Sequence, residues 1–235
     1  MKDILGILGG MGPLASAEFL KTLYEFNIRA KEQTAPRCIL QSDPTIPDRT
    51  EAILSDETED VYNRILTGLK QLREQGATRY VVACISSHYF TEKLPPSFRD
   101  SIISLIEVAL MEVQSFPGDC LLLATTGTMQ ARSFQRHALW PQMQGKLKIP
   151  SSEDQAKIHH YIYSKIKPNR DLVDEKLFRY LKNKYEVDAF VAGCTEFHLV
   201  NKRLLETANP DFRFIDPLYS IGRELPRLLQ KIKNR

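Results

Sequence analysis

Short runs of apolar residues alternate along the chain with longer segments in which apolar positions recur every three or four residues. The short runs are apolar throughout, which is typical of buried parallel strands, and the longer segments are typical of amphipathic helices. Strands are predicted at residues 4–8, 38–40, 80–84, 102–103, 120–124, 189–193 and 212–215. Helices are predicted at residues 15–31, 60–74, 152–166, 172–184 and 218–232, with a further helix running toward Phe116. This alternation predicts an α/β protein with mostly parallel sheets covered on both faces.

One pattern occurs twice, once in each half of the chain. In residues 80–90 and 189–200 an apolar strand ends in a cysteine, Cys84 or Cys194, and a histidine follows four residues later. Because open α/β sheets bind ligands at the carboxyl ends of their strands, both cysteines are predicted to line a ligand site.

The starts of the two halves correspond as well. Residues 3–12 and 119–128 are each a strand followed by a turn of small residues, and Pro117 with Gly118 marks a break. We therefore expect two pseudo-symmetric domains with the active site in the cleft between them. The first domain is predicted to comprise residues 1–116 and 211–235, and the second residues 117–210.

The composition is that of an ordinary folded protein. Lys and Arg total 32 against 29 Asp and Glu, for a net charge of +3. This balance argues against a polyanion-binding protein, so no nucleic-acid partner is expected. The apolar runs are much shorter than a membrane span, and the N-terminal run has no cleavage site for a signal peptidase. No membrane partner is therefore expected, and a cytoplasmic location is predicted.

The chain has four cysteines and no C-x-x-C pair, so free thiols are expected. Cys84 and Cys194 each stand between a strand and a helix, where backbone N–H groups and the helix dipole are expected to lower the pKa. A buried core thiol is the alternative for each. Two thiols on opposite sides of a carbon atom can take a proton from one face and return one to the other, which inverts the configuration. His88 and His198 could complete a zinc site with them, but no other ligand spacing supports one and no metal is predicted.

The sequence resembles the aspartate/glutamate racemase family, whose members need no pyridoxal phosphate. The resemblance rests on three motifs, which are Gly9-Gly10-Met11-Gly12-Pro13, Cys84-Ile85-Ser86-Ser87-His88 and Gly193-Cys194-Thr195-Glu196. It implies two flavodoxin-like domains, a reaction without cofactors, and often a homodimer. The family commonly has Asn and Thr where this chain has Ile85 and Ser86, and Ile85 offers no hydrogen bond to a substrate.

The residues and the resemblance together predict the site. Cys84 and Cys194 are the expected catalytic acid–base pair. Arg49, in a proline-containing loop, and Lys167 are expected to bind the side-chain carboxylate of the substrate. The alternative is that these two cations are solvated surface residues, with Lys165 a substitute for Lys167. The other predicted substrate-binding residues are Met11, Gly12, Ser86, Ser87, Thr126, Thr128, Thr195 and Glu196.

The predicted function is the cofactor-independent racemisation of an acidic amino acid, aspartate first and glutamate second. Three alternatives stay open at this point. The first is a related racemase or isomerase that acts on another amino acid or a hydantoin, and the second is a non-catalytic amino-acid-binding protein on the same scaffold. The third is a thiol redox protein with a reversible disulfide between Cys84 and Cys194.

Overall fold

The computed structural model describes residues 3–28, 30–170 and 172–233. A three-stranded parallel sheet forms the centre of the first half. It consists of β1 (Ile4–Gly9), β2 (Arg37–Ser42) and β3 (Arg79–Val82), in the order β2-β1-β3. The strand expected at residues 102–103 is reduced to a single bridge between Tyr80 and Ile102.

The helices of the first half are α1 (Pro13–Asn27), α2 (Arg49–Ser55), α3 (Glu59–Glu74), α4 (His88–Thr91), α5 (Pro96–Arg99) and α6 (Leu105–Ser115), with a 3₁₀ turn at Glu32–Thr34. Of these, α1 and α3 pack against the strands of the sheet. The helix α1 begins at Pro13, earlier than predicted, because proline is well suited to a first helical position. In α3 the apolar positions Val61, Ile65 and Leu69 are all buried, as their helical spacing predicted.

A four-stranded parallel sheet forms the second half. It consists of β4 (Cys120–Ala124), β5 (Leu147–Lys148), β6 (Ala189–Gly193) and β7 (Phe214–Ile215), in the order β5-β4-β6-β7. The helices in this part of the chain are α7 (Thr126–Gln130), α8 (Ser152–Tyr161), α9 (Glu175–Tyr185) and α10 (Phe197–Glu206), and α11 (Pro217–Lys233) follows β7. A π-helix at Ile162–Ile166 continues α8, and a 3₁₀ turn occupies Trp140–Met143. These elements confirm the predicted α/β class.

The C-terminal segment contributes to both halves. Its strand β7 pairs with β6 in the second sheet, whereas α11 packs against α1 and α6 of the first half. At the contact with α1, Asn27 Nδ2 donates to the Gly222 carbonyl at 2.8 Å. A Cβ atom on Gly222 would lie 2.9 Å from a methyl group of Thr22, so the two helices approach closely. We propose that the domain boundary, predicted at residue 211, lies after β7.

One hydrophobic cluster joins the two halves. It includes Ile7 of β1, Leu110 of α6, Leu122 of β4, Val191 of β6 and Ile221 of α11, all of them buried. Because a core of this kind is close-packed, it fixes how the carboxyl ends of the two sheets face each other.

Candidate active site

The two repeated cysteines line the same cavity. Cys84 follows β3 and precedes α4, and Cys194 lies directly between β6 and α10. Each is 5% exposed, and both border a cavity of about 10 Å³, room for a single water molecule. The cavity is too small for an amino acid, so a substrate can reach the thiols only when its walls move apart.

Residues of both halves complete the walls of this cavity. They are Met11, Asp48, Arg49, Thr50, Ile85, Ser86, Thr125, Tyr163, Lys167 and Glu196. The structure therefore brings together seven of the residues predicted from the sequence, the two cysteines included. Gly12, Ser87, Thr126, Thr128 and Thr195 do not border it directly.

Glu196 holds the thiol of Cys194. The Cys194 Sγ donates to Glu196 Oε2 at 2.8 Å, and the Thr195 hydroxyl donates to the same oxygen at 3.3 Å. Burial raises the pKa of Cys194 well above its usual range, and the nearby Glu196 carboxylate raises it further. The expectation of a lowered pKa is wrong for this cysteine, because burial and a like charge outweigh the helix dipole. Cys194 is therefore a protonated thiol at neutral pH.

The second oxygen of Glu196 faces the start of α1. Among the described residues, Glu196 Oε1 is buried and has no hydrogen-bond partner. A Cβ atom on Gly12 would lie only 2.6 Å from it. Gly12 thus allows the carboxylate to approach the backbone, because it has no side chain in the way.

Arg49 brings a buried positive charge to the cavity. Its guanidinium donates to the carbonyl oxygens of Ile46 at 3.1 Å, Pro47 at 2.8 Å and Met11 at 3.1 Å. Burial opposes this charge, but its interactions with the nearby Cys84 sulfur and Asp48 carboxylate raise the Arg49 pKa overall. Arg49 is thus not a solvated surface residue, and its contacts tie the start of α1 to the loop before α2.

Lys167 reaches the cavity from the second half and pairs with Asp48 of the first. Its Nζ lies 3.2 Å from Asp48 Oδ2 and 3.4 Å from the centre of the Tyr163 ring. The Tyr163 hydroxyl donates to both Asp48 oxygens at 2.9 Å. Burial opposes the charge of Asp48, but Lys167 holds the pKa of that carboxyl below its usual value. The ion pair and hydrogen bonds among Asp48, Tyr163 and Lys167 link the two halves at the wall of the cavity.

Asp48 and Tyr163 were not predicted from the sequence. Asp48 is the N-cap of α2 and accepts from the backbone N–H of Thr50 at 2.8 Å. An aspartate directly after a proline at a helix start was the available signal, but it points to capping. Nothing in the sequence marks Tyr163, since its position depends on the π-helix that turns it toward the cleft.

Three buried hydroxyl groups meet across the cleft. The Ser86 Oγ lies 3.0 Å from Thr125 Oγ1 and 2.8 Å from Thr128 Oγ1, and the two threonine oxygens are 3.2 Å apart. The predicted turn at residues 125–128 is instead the start of α7, where Thr125 Oγ1 accepts from the Thr128 N–H. Thr126 donates its backbone N–H to His159, so Thr125 rather than Thr126 lines the cavity.

Ser87, which was also predicted to bind substrate, lies at the start of α4. Its hydroxyl donates to the sulfur of Met11 at 3.3 Å, and both side chains are buried. Ser87 thus supports the wall that Met11 provides.

The remaining two cysteines lie elsewhere. Burial raises the pKa of Cys38 to about 11 and that of Cys120 to about 12. Neither of these two cysteines borders the cavity that contains Cys84 and Cys194.

The histidines of the repeat make contacts away from the thiols. Burial lowers the pKa of His88 to about 4, and its Nε2 accepts from the Leu105 N–H at 3.4 Å. His198 lies between Asp216, at 2.6 Å from its Nδ1, and Thr22, at 3.0 Å from its Nε2. Within the described part of the chain, no group of three or more His, Cys, Asp or Glu side chains is arranged to hold a metal ion. None of the described helices is long and apolar enough to cross a bilayer.

Comparison with known proteins identifies related sequences and folds. The model of the Asp/Glu/hydantoin racemase family matches residues 8–220. The broad specificity amino-acid racemase RacX of Bacillus subtilis is 20% identical over 203 residues, which cover 84% of this chain and 87% of RacX.

Solved structures share the fold over nearly the whole chain. The aspartate racemase of Picrophilus torridus is 23% identical with a TM-score of 0.76, covering 98% of this chain and 94% of that one. An aspartate racemase homologue from Pyrococcus horikoshii OT3 is 18% identical with a TM-score of 0.71, and the match covers 99% of this chain and 100% of that one. A glutamate racemase from Francisella tularensis, in complex with D-glutamate, is 15% identical with a TM-score of 0.65, and the match covers 99% of this chain and 82% of that one.

Proposed function

The chain belongs to the Asp/Glu/hydantoin racemase family and is an amino-acid racemase, and we propose that it racemises aspartate, and glutamate second, using Cys84 and Cys194 alone. The observation that carries this proposal is the shared cavity of the two cysteines. Each comes from the equivalent strand end of its half, so they approach a bound substrate from opposite sides.

The reaction consists of two proton transfers at the α-carbon. A thiolate removes the α-hydrogen as a proton, and the electron pair passes toward the α-carboxylate. The second cysteine, as a thiol, delivers its own proton to the opposite face. The first cysteine ends as a thiol, the second as a thiolate, and the configuration of the α-carbon is inverted. No other reactant is consumed.

Cys84 is the proposed base of the resting enzyme. Cys194 holds its proton because burial and Glu196 raise its pKa, so it is the thiol that donates. Arg49 places a positive charge beside Cys84, which suits a thiolate there. The roles are exchanged for the other enantiomer.

The developing negative charge needs hydrogen-bond donors, because the α-hydrogen of an amino acid is a weak acid. The hydroxyls of Ser86 and Thr125 border the cavity, and we assign them to the α-carboxylate, with the Thr128 hydroxyl holding both in place. The Thr195 hydroxyl donates to Glu196 Oε2, so we assign Thr195 to holding that carboxylate in place. Ile85 lines the cavity without a donor, so these hydroxyls have more charge to stabilise.

The side-chain carboxylate of aspartate is assigned to Arg49 and Lys167. Both border the cavity, and both are held in place by the loop before α2. Glu196 is assigned to the substrate ammonium group through its unpartnered oxygen, and to the thiol of Cys194 through the other.

Proton NMR in heavy water tests the proposal. L-aspartate and L-glutamate are each incubated with the reduced enzyme, and a chiral column follows the D-form. We expect the α-proton signal to fall as the D-form appears, and neither Cys84→Ser nor Cys194→Ser to interconvert the enantiomers. Exchange with neither substrate contradicts the proposed substrates.

Two other outcomes identify the alternatives. Saturable binding of an amino acid without α-proton exchange indicates a binding protein on this scaffold. A reversible disulfide between Cys84 and Cys194 that accompanies function, rather than loss of function, indicates a redox protein. The homodimer and the cytoplasmic location stay predictions, and sedimentation analysis tests the first.

A further inference from the structure

His159 lies behind the cavity that contains the thiols and contacts two of the segments that form its walls. It is half-buried in α8, four residues before Tyr163. Its Nδ1 accepts from the backbone N–H of Thr126 at 3.2 Å. The centre of its ring lies 4.4 Å from that of Tyr163, with 33° between the two planes. Because His159 does not itself border the cavity, it can act on a substrate only through these two neighbours.

The contact with Thr126 holds the start of α7. Thr126 is the first residue of that helix, where a backbone N–H has no partner within the helix. With five residues, α7 is too short to be stable alone, so its position depends on its neighbours. Another neighbour is α2, since a Cβ atom on Gly127 would lie 2.7 Å from Thr50 Cα. The Thr125 hydroxyl, assigned above to the α-carboxylate, caps this helix start.

The contact with Tyr163 reaches the other end of the proposed substrate site. The Tyr163 hydroxyl donates to both oxygens of Asp48 at 2.9 Å, and Asp48 pairs with Lys167 at 3.2 Å. The Lys167 Nζ also lies 3.4 Å from the centre of the Tyr163 ring. Lys167 is assigned above to the side-chain carboxylate. His159 therefore contacts the supports of both proposed carboxylate sites.

These contacts require a neutral imidazole. The Thr126 N–H can donate only to an Nδ1 that carries a lone pair, so the ring proton is on Nε2. Burial lowers the pKa of His159, and the charge of Lys167 lowers it further. His160 acts in the same direction and Asp48 opposes it. The hydrogen bond to Nδ1 is therefore kept at neutral pH.

We propose that His159 is a positioning residue that fixes the spacing between the two carboxylate sites and so sets the preference for aspartate over glutamate. The inference rests on the proposed function. Aspartate and glutamate differ by one methylene, so their two carboxylates need sites at different separations. An enzyme distinguishes them only if that separation is held firmly.

Two polar replacements of His159 test this. The amide oxygen of Asn takes the position of Nδ1 and can accept from Thr126, whereas Gln extends its amide to the position of Nε2. The measurement is kcat/KM for L-aspartate and for L-glutamate. We expect the aspartate-to-glutamate ratio of His159→Asn to stay within about threefold of wild type, and that of His159→Gln to fall at least about fivefold. A purely structural role would lower both substrates alike and leave the ratio unchanged.

His160→Gln, at the exposed neighbouring position, is the matched control and should keep the wild-type ratio. A wild-type ratio in His159→Gln, an equal fall in both variants, or a wild-type enzyme without preference for aspartate overturns the inference and leaves the proposed reaction standing. Racemisation of neither substrate by the wild type overturns both.

Nitrogen-15 NMR of the imidazole groups gives a test that does not depend on activity. The His159 signals are assigned by their loss in His159→Asn. We expect an unprotonated Nδ1 and a protonated Nε2 at pH 7. A protonated Nδ1 excludes the hydrogen bond from Thr126 and contradicts the inference.

Discussion

The Sγ atom of Cys194 lies 2.8 Å from Oε2 of Glu196, and both groups are buried beside Cys84 in one cavity. A carboxylate so close to a buried thiol keeps the proton on sulfur, since a second negative charge there is unfavourable. Cys194 thus has a carboxylate partner and Cys84 a guanidinium neighbour, although the chain repeat makes the two cysteines equivalent. This asymmetry makes the proposed mechanism testable by pH.

Replacing Glu196 by Gln removes the charge that raises the Cys194 pKa, so we expect thiolate to form there at lower pH. For the enantiomer that needs Cys194 as base, the rising limb of kcat/KM against pH shifts to lower pH. For the other enantiomer, which needs the Cys194 proton, the falling limb shifts in the same direction. Profiles measured for both enantiomers check this.

The control for that experiment is Glu206→Gln, at the exposed end of α10, the helix that begins directly after Glu196. Its two profiles should coincide with those of the wild type. If Glu196→Gln also leaves both profiles in place, the carboxylate does not control the proton on Cys194.

Replacing Asp48 by Asn should increase the preference for acidic substrates. Asparagine caps a helix about as well as aspartate, so α2 keeps its start. Lys167 loses its carboxylate partner at 3.2 Å and is free to bind the carboxylate of the substrate. We expect the KM for aspartate to fall about three- to tenfold, as measured by steady-state kinetics. An increased KM would show that Asp48 itself contributes to aspartate binding.

Replacing His198 by Gln should destabilise the protein by about 3 kcal/mol, a usual value for breaking a buried pair. The ring lies 2.6 Å from Asp216 and 3.0 Å from Thr22, so it links α10 to both α1 and α11. Urea unfolding measures the change. His160→Gln, on the exposed side of α8, is the matched control and should leave the midpoint unchanged. A loss below about 1 kcal/mol for His198→Gln contradicts a buried link between the halves.

Asp154 should make stability depend on acid pH. Burial opposes its charge, but hydrogen bonds from Lys184, Tyr185, Lys157 and Tyr180 hold its folded pKa far below the unfolded value of about 3.9. The contribution of Asp154 to the free energy of unfolding is therefore complete above the unfolded pKa. It is lost as pH falls toward the folded pKa.

Asp154→Asn is expected to lower stability at pH 7 by roughly 2 kcal/mol, a typical value for hydrogen bonds to a charged group. The difference from wild type should shrink as pH falls below about 4. Urea midpoints measured from pH 7 to pH 3 test this, with the exposed neighbour Glu153→Gln as control. A constant difference across that range would falsify the assignment.

Much of the fold was predictable because its strands are buried on both faces. The predicted bounds of β4 and β6 match the structure residue for residue, since a continuous apolar run has few alternatives. The prediction that Cys84 and Cys194 would meet a common cleft followed from the repeat. The turn predicted after β4 is instead the start of α7 at Thr126. The prediction was wrong because a threonine-rich stretch suits a turn and a helix N-cap equally.

The features that could not be predicted depend on contacts between distant segments. The raised pKa of Cys194 results from burial and from the direction of the Glu196 side chain, which a local motif does not specify. The group of Asp48, Tyr163 and Lys167 forms only when the two halves are packed together. The pairing of β7 with β6 likewise depends on how the chain returns after α10.

The distribution of deuterium at early times tests the two-cysteine mechanism most directly. L-aspartate is incubated with the wild-type enzyme in heavy water, and both enantiomers are recovered before a tenth of the substrate has reacted. The account predicts deuterium at the α-carbon of D-aspartate and none in the remaining L-aspartate, because different thiols act on the two faces. Deuterium appearing equally fast in the recovered L-aspartate, with racemisation retained in Cys84→Ser or Cys194→Ser, would contradict it.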